Sequence, residues 1–409
     1  TNPSSTLADW ELSDPPTDTV SAIVFAPGQQ QSIAPPDFAS TSLLVSSWDG
    51  FVHHYSLPLP SLSMPESGAF SQASHRLQRI QHEAPVLDVC YVSDTLAASA
   101  SLDRRVRLLD LSTGRICVLG KHEDAVVKIR YCPQTGLLFS GSWDRTVKVW
   151  RVETDESEAA RGKLLQTLTM SDKVLAMDVS RVPTQACGSP TAASPRLVVG
   201  MVGRTVFVYD LLPLAASLER FERGEQISDR DWQPDQRRES SLKYMMRDLR
   251  AMPAGDGYAT SSIEGRIAVE FFDPSPKVQQ LKYAFKCHRQ PASSSTEAKG
   301  GDSAACDIVF PVHGLAFHPV HGTFASLGGD SVVSIWDAAA KKRVRQYPKL
   351  PSAVSAGAVD STGQLLVVAT GAESGAYTET EPDCQPPTAV VQLIVKANAW
   401  EECKPKVKA

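Results

Sequence analysis

The chain has 409 residues, 42% of them hydrophobic, and a formal net charge of −5. This mild negative charge argues against bulk electrostatic binding to nucleic acid or to a membrane surface. No apolar run reaches the roughly 18 residues that a membrane span requires, and the polar, acidic N-terminal residues do not resemble a signal peptide. The length suits two or three average domains, or one large all-β barrel or propeller.

A β-hairpin pattern repeats along the chain. Each repeat has an apolar strand, a pair of small residues, a turn with Asp or Gly, and a second alternating strand that ends in an aromatic residue or Leu. The repeats cover residues 43–57, 97–111, 138–152, 198–211, 259–273 and 324–338. They lie about 40 to 65 residues apart, which is typical of propeller blades, the longer intervals indicating inserted loops.

A further strand precedes several hairpins, at 82–92, 122–133, 172–180 and 312–319. Residues 353–371 and 389–397 predict a seventh blade whose hairpin is interrupted. We expect the N-terminal segment around Trp10 to add the outer strand of this last blade, because an open ring would leave unpaired strand edges. The sequence therefore predicts an all-β, seven-bladed propeller that the N-terminal strand closes.

The remaining segments are predicted to be insertions into a single domain that spans residues 1–409. They are rich in Pro, Ser and Ala or low in apolar content, which is typical of loops. One of them, near 211–237, has a partly helical pattern. The insertions lie near 57–80, 182–196, 211–237, 290–306 and 372–388.

Basic residues cluster in the stretch 237–289, at Lys243, Arg247, Arg266, Lys286 and Arg289. The repeats predict that this stretch is one blade, the fifth, and that its cations lie at strand ends. The end of one antiparallel strand and the start of its partner share a rim, so several cations would lie close together. A phosphate, with a charge of about −1.5 to −2 and three acceptor oxygens, would suit such a cluster.

The alternative is that nearby acids neutralise these cations locally. The candidates for this role are Glu239, Asp248 and Glu264. The sequence alone does not decide between the two interpretations.

Trp48 and Trp143 directly precede the aspartates of two hairpin turns. A tryptophan at this position lies at or near one rim of a propeller, where its large area and single N–H suit an interface anchor. The alternative is a rim tryptophan packed on its own blade. Trp150 and Trp336, by contrast, end strands and are predicted to lie in the core.

No metal, cofactor or catalytic site is predicted. His53 and His54 are adjacent on a strand and point to opposite faces. The group His313, His318 and His321 has no carboxylate at ligand spacing, so hydrogen-bonded or surface histidines are favoured. The eight cysteines include no CxxC pair, which favours reduced, buried thiols over disulfides or zinc. An enzyme that uses the propeller channel remains the alternative from another class.

The residues HEDA, followed by SGSWDRTVKVW, resemble a WD repeat. The predicted fold is then a seven-bladed WD-repeat β-propeller. The resemblance implies that four residues form the buried, hydrogen-bonded set that ties the start of a blade to its hairpin. These residues are His122, Ser140, Asp144 and Trp150.

A more specific resemblance covers roughly residues 10 to 350. The motifs SSWDG, GSWDRTVKVW, RRESSLKY, SSIEGR, DPSP and KYAFKCHR occur in this order and resemble the mitotic spindle-checkpoint WD-repeat protein of the Bub family. The sister Rae/Gle mRNA-export family shares SIEGR and FKCHR, and FHPVHGT is slightly more similar to that branch. RRESSLKY and DPSP favour the checkpoint branch.

This resemblance implies a non-enzymatic adaptor without a cofactor, a monomer before partner binding, located in the nucleus and at the kinetochore in mitosis. Its partners would be checkpoint kinases of the Bub/Mad family, bound through a GLEBS motif, and phosphorylated Met-Glu-Leu-Thr repeats of a kinetochore scaffold. No membrane or direct nucleic-acid partner is expected. The kinase motif would be held by Trp48, Trp143, Arg247 and Arg289, and the phosphothreonine by Arg266 and Lys286. The alternative is an mRNA-export adaptor of the Rae/Gle type that binds a nucleoporin GLEBS motif.

Overall fold

The computed structural model describes residues 8–28, 40–59, 73–153, 161–182, 194–291, 307–371 and 391–406. These residues form seven four-stranded antiparallel sheets, each of them one blade. The first strands of neighbouring blades contact one another all the way round a ring, and they line a central channel. The prediction of an all-β, seven-bladed propeller is confirmed.

Each blade has a first, a second, a third and an outer strand, counted from the channel outwards. The first strands are Val20–Phe25, Val86–Tyr91, Val126–Cys132, Val174–Val179, Met246–Ala251, Val312–Phe317 and Val354–Val359. The second strands are Ser40–Ser47, Leu96–Ser101, Leu137–Ser142, Arg196–Met201, Gly257–Ser262, Phe324–Gly328 and Leu366–Thr370. The third strands are Phe51–Pro58, Arg105–Asp110, Thr146–Glu153, Thr205–Asp210, Arg266–Phe271, Val333–Asp337 and Gln392–Lys396. The outer strands are His75–Gln81, Ile116–Lys121, Arg161–Thr169, Gln236–Glu239, Tyr283–Lys286, Lys342–Gln346 and, for the seventh blade, Trp10–Glu11.

The N-terminal strand closes the ring, as predicted. Trp10–Glu11 pairs antiparallel with the third strand of the seventh blade, with Trp10 opposite Val395. The indole Nε1 of Trp10 donates to Ser74 Oγ at 3.0 Å, which ties the closure to the first blade. The two ends of the described chain are therefore joined within one sheet.

Small residues let neighbouring blades approach closely. A Cβ atom on Gly141 would lie 2.9 Å from Val174 Cγ1 in the next blade, and one on Gly200 would lie 2.4 Å from Met246 Sδ. The aliphatic faces of the strands fill the space between blades, where most of the core residues are completely buried. The core is thus a series of layers between sheets rather than one central cluster.

The helices are short additions to the blades. Within the described residues they include Leu211–Glu222, Pro276–Gln279 and Ala399–Glu402, with single 3-10 turns at Val202–Arg204 and Asp229–Trp232. The helix Leu211–Glu222 agrees with the helical pattern of the insertion near 211–237. No helix in the described ranges is long and apolar enough to cross a membrane.

Two predicted boundaries are wrong at their C-terminal ends, because an outer strand follows the insertion. The insertion near 57–80 ends in the outer strand His75–Gln81, and the insertion near 211–237 runs into the outer strand Gln236–Glu239. Much of the other predicted insertions, and residues 60–72, lie outside the described residues.

The prediction that 237–289 is a single blade is also wrong. Arg237 lies in the outer strand of the fourth blade, where its guanidinium is 4.7 Å from the centre of the Phe207 ring. Arg289 follows the fifth blade and begins a two-stranded sheet, Arg289–Pro291 with Asp307–Val309. In the sequence, a helix separates the outer strand of the fourth blade from the hairpin with which it pairs. The hairpin pattern therefore did not show to which blade this strand belongs.

The five described cysteines, Cys90, Cys117, Cys132, Cys287 and Cys403, are free thiols. All of them except Cys117 are buried. Burial raises the pKa of the Cys90, Cys287 and Cys403 thiols to about 12 in each case, so these three are protonated at neutral pH.

Candidate functional site

One rim of the propeller carries all the predicted binding residues. It is formed by the turns between second and third strands, the starts of the first strands and the ends of the outer strands, and we call it the turn rim. Antiparallel pairing brings these three kinds of strand end to the same face. The residues on it include Trp48, Trp143, Arg247, Arg266, Lys286 and Arg289.

The turn of the third blade is fixed by a buried hydrogen-bonded set. His122 Nε2 lies 2.8 Å from Ser140 Oγ, and Trp150 Nε1 donates to the same oxygen at 2.9 Å. His122 Nδ1 lies 3.0 Å from Asp144 Oδ2. Burial lowers the pKa of His122, which favours the neutral imidazole. These contacts hold the segment before the blade, its hairpin and its turn in one arrangement.

Asp144 is saturated with hydrogen bonds at this turn. It accepts from the main-chain N–H groups of Glu123 at 3.0 Å and Thr146 at 2.9 Å, and from the Thr146 hydroxyl at 2.6 Å. Burial alone would raise the pKa of the Asp144 carboxyl, but these hydrogen bonds and His122 hold it below its usual range. The acid of this turn therefore stabilises the fold.

A second set of the same kind fixes the sixth blade, and the sequence analysis missed it. His288 Nε2 lies 2.8 Å from Ser326 Oγ, Trp336 Nε1 donates to that oxygen at 2.8 Å, and His288 Nδ1 lies 2.8 Å from Asp330 Oδ1. His288 and Ser326 are 38 residues apart in sequence, whereas His122 and Ser140 are 18 apart. The spacing of Ser326, Asp330 and Trp336 matches that of Ser140, Asp144 and Trp150 and could have indicated this set. The insertion between His288 and Ser326 hid the relation.

His288 lies in the KYAFKCHR motif, between Lys286 and Arg289. A buried structural histidine thus anchors a segment in which the two neighbouring cations are candidate ligand-binding residues. This arrangement limits how far either cation can move from the turn rim.

The two rim tryptophans differ in burial. Trp48 is 38% exposed. Trp143 is half-buried, packs against the core between the third and fourth blades, and has Lys173 Nζ 5.9 Å from its ring centre. Trp48 therefore offers an open apolar surface, whereas Trp143 lies on the same rim but is partly covered by its packing between the third and fourth blades.

Leu102 and Ile263 occupy the same turn position in the second and fifth blades, and both side chains are exposed. The Ser-Trp-Asp, Ser-Leu-Asp and Ser-Ile-Glu tripeptides of the repeats contain this signal. Tyr244 and Met245, just before the fifth blade, are also exposed. The turn rim therefore has more apolar surface than the tryptophans alone provide.

Cations meet at the turn of the fifth blade. Arg266 and Lys286 are directly opposite each other in the antiparallel register. Lys286 is exposed and forms no ion pair with any residue that the structure describes. The Nη2 atom of Arg289 donates to the main-chain oxygen of Glu264 at 3.1 Å, while its Nε is buried without a hydrogen-bond partner among the described residues. Among the described residues, the site therefore has an Arg289 donor without an acceptor and a lysine without an ion-pair partner.

Of the three acids that could neutralise this cluster, one contacts it. Asp248 is buried and pairs with Arg250, whose Nε lies 3.1 Å from Oδ2. Glu239 pairs with Arg204 at 3.0 Å. Glu264 Oε1 lies 3.3 Å from Arg266 Nε. Of these three acids, only Glu264 therefore neutralises the cluster locally.

Arg247 is exposed at the start of the first strand of the fifth blade. Its Nη2 donates to Nδ1 of His313, on the first strand of the sixth blade, at 2.9 Å. Burial lowers the pKa of His313 to about 4, so at neutral pH its ring can accept this hydrogen bond. Sequence reasoning considered His313 for metal binding, whereas the structure places it as a support for Arg247.

The other histidines considered for metal binding have hydrogen-bond partners. His53 Nε2 lies 2.9 Å from Asp49 Oδ2, and His54 Nε2 lies 2.5 Å from Ser42 Oγ. His318 Nε2 and His321 Nε2 each lie 3.0 Å from main-chain oxygens. Within the described ranges no three His, Cys, Asp or Glu side chains are grouped to hold a metal ion.

Comparison with known proteins adds the following similarities. Residues 114–151 match the model of the family "WD domain, G-beta repeat". The chain is 37% identical to mitotic checkpoint protein BUB3.1 of Arabidopsis thaliana, over 98% of this chain and 96% of that protein. It is 32% identical to mitotic checkpoint protein bub3 of Dictyostelium discoideum, over 95% and 96% of the two chains. It is 26% identical to protein Rae1 of Drosophila melanogaster, over 100% and 99%.

Proposed function

Since the chain belongs to the Bub3 family of mitotic checkpoint WD-repeat proteins, we propose that it is a spindle-assembly checkpoint adaptor. On its turn rim it holds a GLEBS motif of a checkpoint kinase and docks phosphorylated Met-Glu-Leu-Thr repeats of a kinetochore scaffold. This activity places it in the nucleus and, in mitosis, at the kinetochore. The observation that carries the proposal is the opposed pair of a half-buried Arg266 and an exposed Lys286 on one rim, contacted by one acid, Glu264, among the described residues.

A phosphothreonine matches this pair in charge and geometry. The guanidinium of Arg266 can donate two parallel hydrogen bonds to phosphate oxygens, and Lys286 supplies a mobile point charge. A phosphate brings a charge of about −1.5 to −2, which offsets the repulsion between the two cations. An unphosphorylated threonine brings no charge and leaves that repulsion in place.

The kinase motif has a different footprint. Trp48 lies in the first blade, Trp143 in the third, Arg247 in the fifth, and Arg289 just after the fifth. Blades one, three and five are not neighbours, so a ligand that contacts all four residues must extend over several blades of the turn rim. A helical and extended segment with apolar and acidic side chains suits a rim that presents two tryptophans on one part and two arginines on another.

Isothermal titration with a Met-Glu-Leu-phosphoThr peptide tests the phosphate role. We expect the unphosphorylated peptide to bind at least about tenfold more weakly, since each lost charge-assisted contact costs on the order of 1.5–3 kcal/mol. Arg266→Ala should lose most of the affinity for the phosphopeptide. Arg145→Ala, which removes an exposed arginine from the equivalent turn of the third blade, is the matched control and should bind normally. Equal affinities for both peptides, or a fully active Arg266→Ala protein, would refute the role.

Titration with a kinase GLEBS peptide tests the second footprint. Trp48→Ala should weaken the binding of this peptide by about tenfold or more, because truncation of an interface tryptophan commonly costs about 2 kcal/mol of binding free energy. The same substitution should leave phosphopeptide binding intact if the two ligands have separate footprints.

An mRNA-export adaptor of the Rae/Gle type is the second candidate, supported by the similarity to Rae1 over the whole chain. Competition between a kinase GLEBS peptide and a nucleoporin GLEBS peptide distinguishes the two functions. We expect the kinase peptide to bind more tightly than the nucleoporin peptide. When the protein is purified from mitotically arrested cells, we expect a GLEBS-containing kinase to be recovered with it. Recovery of nucleoporin and polyadenylated RNA instead would favour the export function.

A further inference from the structure

We propose that the Glu264 carboxylate competes with ligands for Arg266 in the phosphate site. A ligand must then carry more negative charge than a carboxylate in order to displace it. In the unliganded protein this carboxylate contacts Arg266, and a ligand must displace it. The inference rests on the proposed function and adds a specificity-determining residue to it.

The contact between Glu264 and Arg266 is close but poorly formed. Glu264 Oε1 lies 3.3 Å from Arg266 Nε, yet both atoms are shielded from solvent and lack a hydrogen-bond partner among the described residues. The side chains are 16% and 33% exposed, respectively. The two groups therefore attract each other electrostatically without a hydrogen bond. A phosphate oxygen that approached Arg266 in line could form the charge-assisted hydrogen bond that Glu264 does not.

The backbone of this turn is held independently of the Glu264 side chain. Arg289 Nη2 donates to the Glu264 main-chain oxygen at 3.1 Å. Gly265 has a φ of +64°, and a Cβ at this position would lie 2.6 Å from the main-chain oxygen of Cys287. The turn is thus closely packed against the segment that carries Lys286 and Arg289. These main-chain contacts do not involve the carboxylate, so its displacement from Arg266 would not break them.

No other residue that the structure describes forms a hydrogen bond with the Glu264 carboxylate, in contrast to Asp144 in the third blade. The N–H of His122 donates to the main-chain oxygen of Arg104, and the N–H of Ser240 makes the corresponding bond to Arg204, so Ser240 holds the histidine position before the fifth blade. Ser240 Oγ accepts from the Leu242 N–H rather than contacting the turn. Glu264 therefore has no histidine to bind, and its contact is the cation that the ligand needs.

A tethered carboxylate has a high effective concentration, so a ligand carboxylate with the same charge competes poorly with it. A phosphate with nearly twice the charge and three acceptor oxygens competes better. Removal of the Glu264 charge should therefore strengthen the binding of every anionic ligand. It should also make the binding of carboxylate ligands strong enough to measure. Glu264 would make the site respond to phosphorylation rather than to acidic sequence alone.

The test compares the wild-type protein with Glu264→Gln, which keeps the shape of the side chain and removes its charge. Each protein is titrated with inorganic phosphate, with NMR detection of arginine Nε–H signals, and with peptides that carry phosphothreonine, threonine or glutamate at the acceptor position. We expect Glu264→Gln to bind inorganic phosphate and the phosphopeptide about 3- to 10-fold more tightly, by loss of the intramolecular competitor. The gain should shrink as salt is raised, because the site is partly exposed.

Glu83→Gln is the matched control. Glu83 is exposed on the same rim and pairs with Arg105 of the second blade, away from the proposed site. This variant should leave both affinities unchanged, which separates a local effect of Glu264 from a change in the overall field.

The outcomes separate the inference from the function on which it rests. Unchanged or weaker phosphate binding by Glu264→Gln, or no binding of inorganic phosphate by either protein, overturns the inference, and weaker binding would mean that Glu264 orients Arg266. Tighter inorganic phosphate binding with no preference for the phosphopeptide supports the inference and refutes the proposed function. A wild-type preference for the phosphopeptide, together with a phosphopeptide affinity that Glu264→Gln does not raise, refutes the inference alone.

Discussion

The turns of the third and fifth blades have the same position in the propeller but use their acidic residue in opposite ways. In the third blade, Asp144 accepts hydrogen bonds from His122 and from both N–H and O–H of Thr146. In the fifth blade, Glu264 faces Arg266 without a hydrogen bond. One turn satisfies its polar groups internally, and the other leaves donors and charge available.

This difference shows how a repeated scaffold can hold both structural and binding turns. A saturated turn contributes stability but has no capacity left for a ligand. An unsatisfied turn contributes less stability, and neighbouring saturated turns hold it in place. Here the sixth-blade set of His288, Ser326 and Asp330 stabilises the segment beside the fifth-blade turn.

Removal of a core anchor from the third blade should have the largest effect. Trp150 is 2% exposed and packs between the second and third blades. We expect Trp150→Ala to lower the free energy of unfolding by about 3–5 kcal/mol, as for other buried aromatic truncations. Trp48→Ala is the matched control and should change it by less than about 1 kcal/mol. Urea denaturation followed by circular dichroism measures both, and equal losses would contradict the assignment of Trp150 to the core and Trp48 to the surface.

The two turn acids provide the most direct comparison. Asp144→Ala removes the carboxylate beside the buried His122, together with the acceptor of two main-chain N–H groups, and should cost about 1–3 kcal/mol of unfolding free energy. Glu264→Ala removes a partly exposed contact without a hydrogen bond and should stay within about 0.5 kcal/mol of the wild type. A Glu264→Ala loss as large as that of Asp144→Ala would show that the fifth-blade turn is also structural.

The sequence predicted the features that depend on local periodicity. The hairpin repeats identified the blades, and the N-terminal strand was correctly predicted to close the ring through Trp10. The set of His122, Ser140, Asp144 and Trp150 could be proposed because its members lie within one short repeat of a recognisable pattern.

Features that depend on long separations or on strand assignment could not be predicted. The insertion before the sixth blade separates His288 from Ser326 and hides their relationship. The hydrogen bond from Arg247 to His313 joins two blades, and no periodicity within one repeat indicates it. Arg237 was assigned to the wrong blade because an outer strand pairs with a strand on the other side of an insertion.

The histidine of the third blade should make stability depend on pH. Burial lowers the pKa of His122 below the usual 6.5. Below pH 6.5 the unfolded chain takes up this proton before the folded protein does, so stability falls as pH falls, by at most about 1.4 kcal/mol per pH unit for one group. His122→Gln should reduce the slope of unfolding free energy against pH between 7 and 5. Identical slopes for the wild type and His122→Gln would contradict the assignment.

The smallest effect is expected at His313, which holds Arg247 on the binding side of the comparison. His313→Ala removes the acceptor at 2.9 Å and frees the Arg247 guanidinium, which must then be ordered on binding. We expect the affinity for a kinase GLEBS peptide to fall about 3- to 5-fold, because ordering one side chain costs on the order of 0.5–1.5 kcal/mol. His313→Asn, which retains an acceptor, should restore part of the affinity, and phosphopeptide binding at Arg266 should not change. If His313 had a purely structural role, His313→Ala would weaken the binding of both ligands equally. Arg247→Ala would then lose no more affinity than His313→Ala.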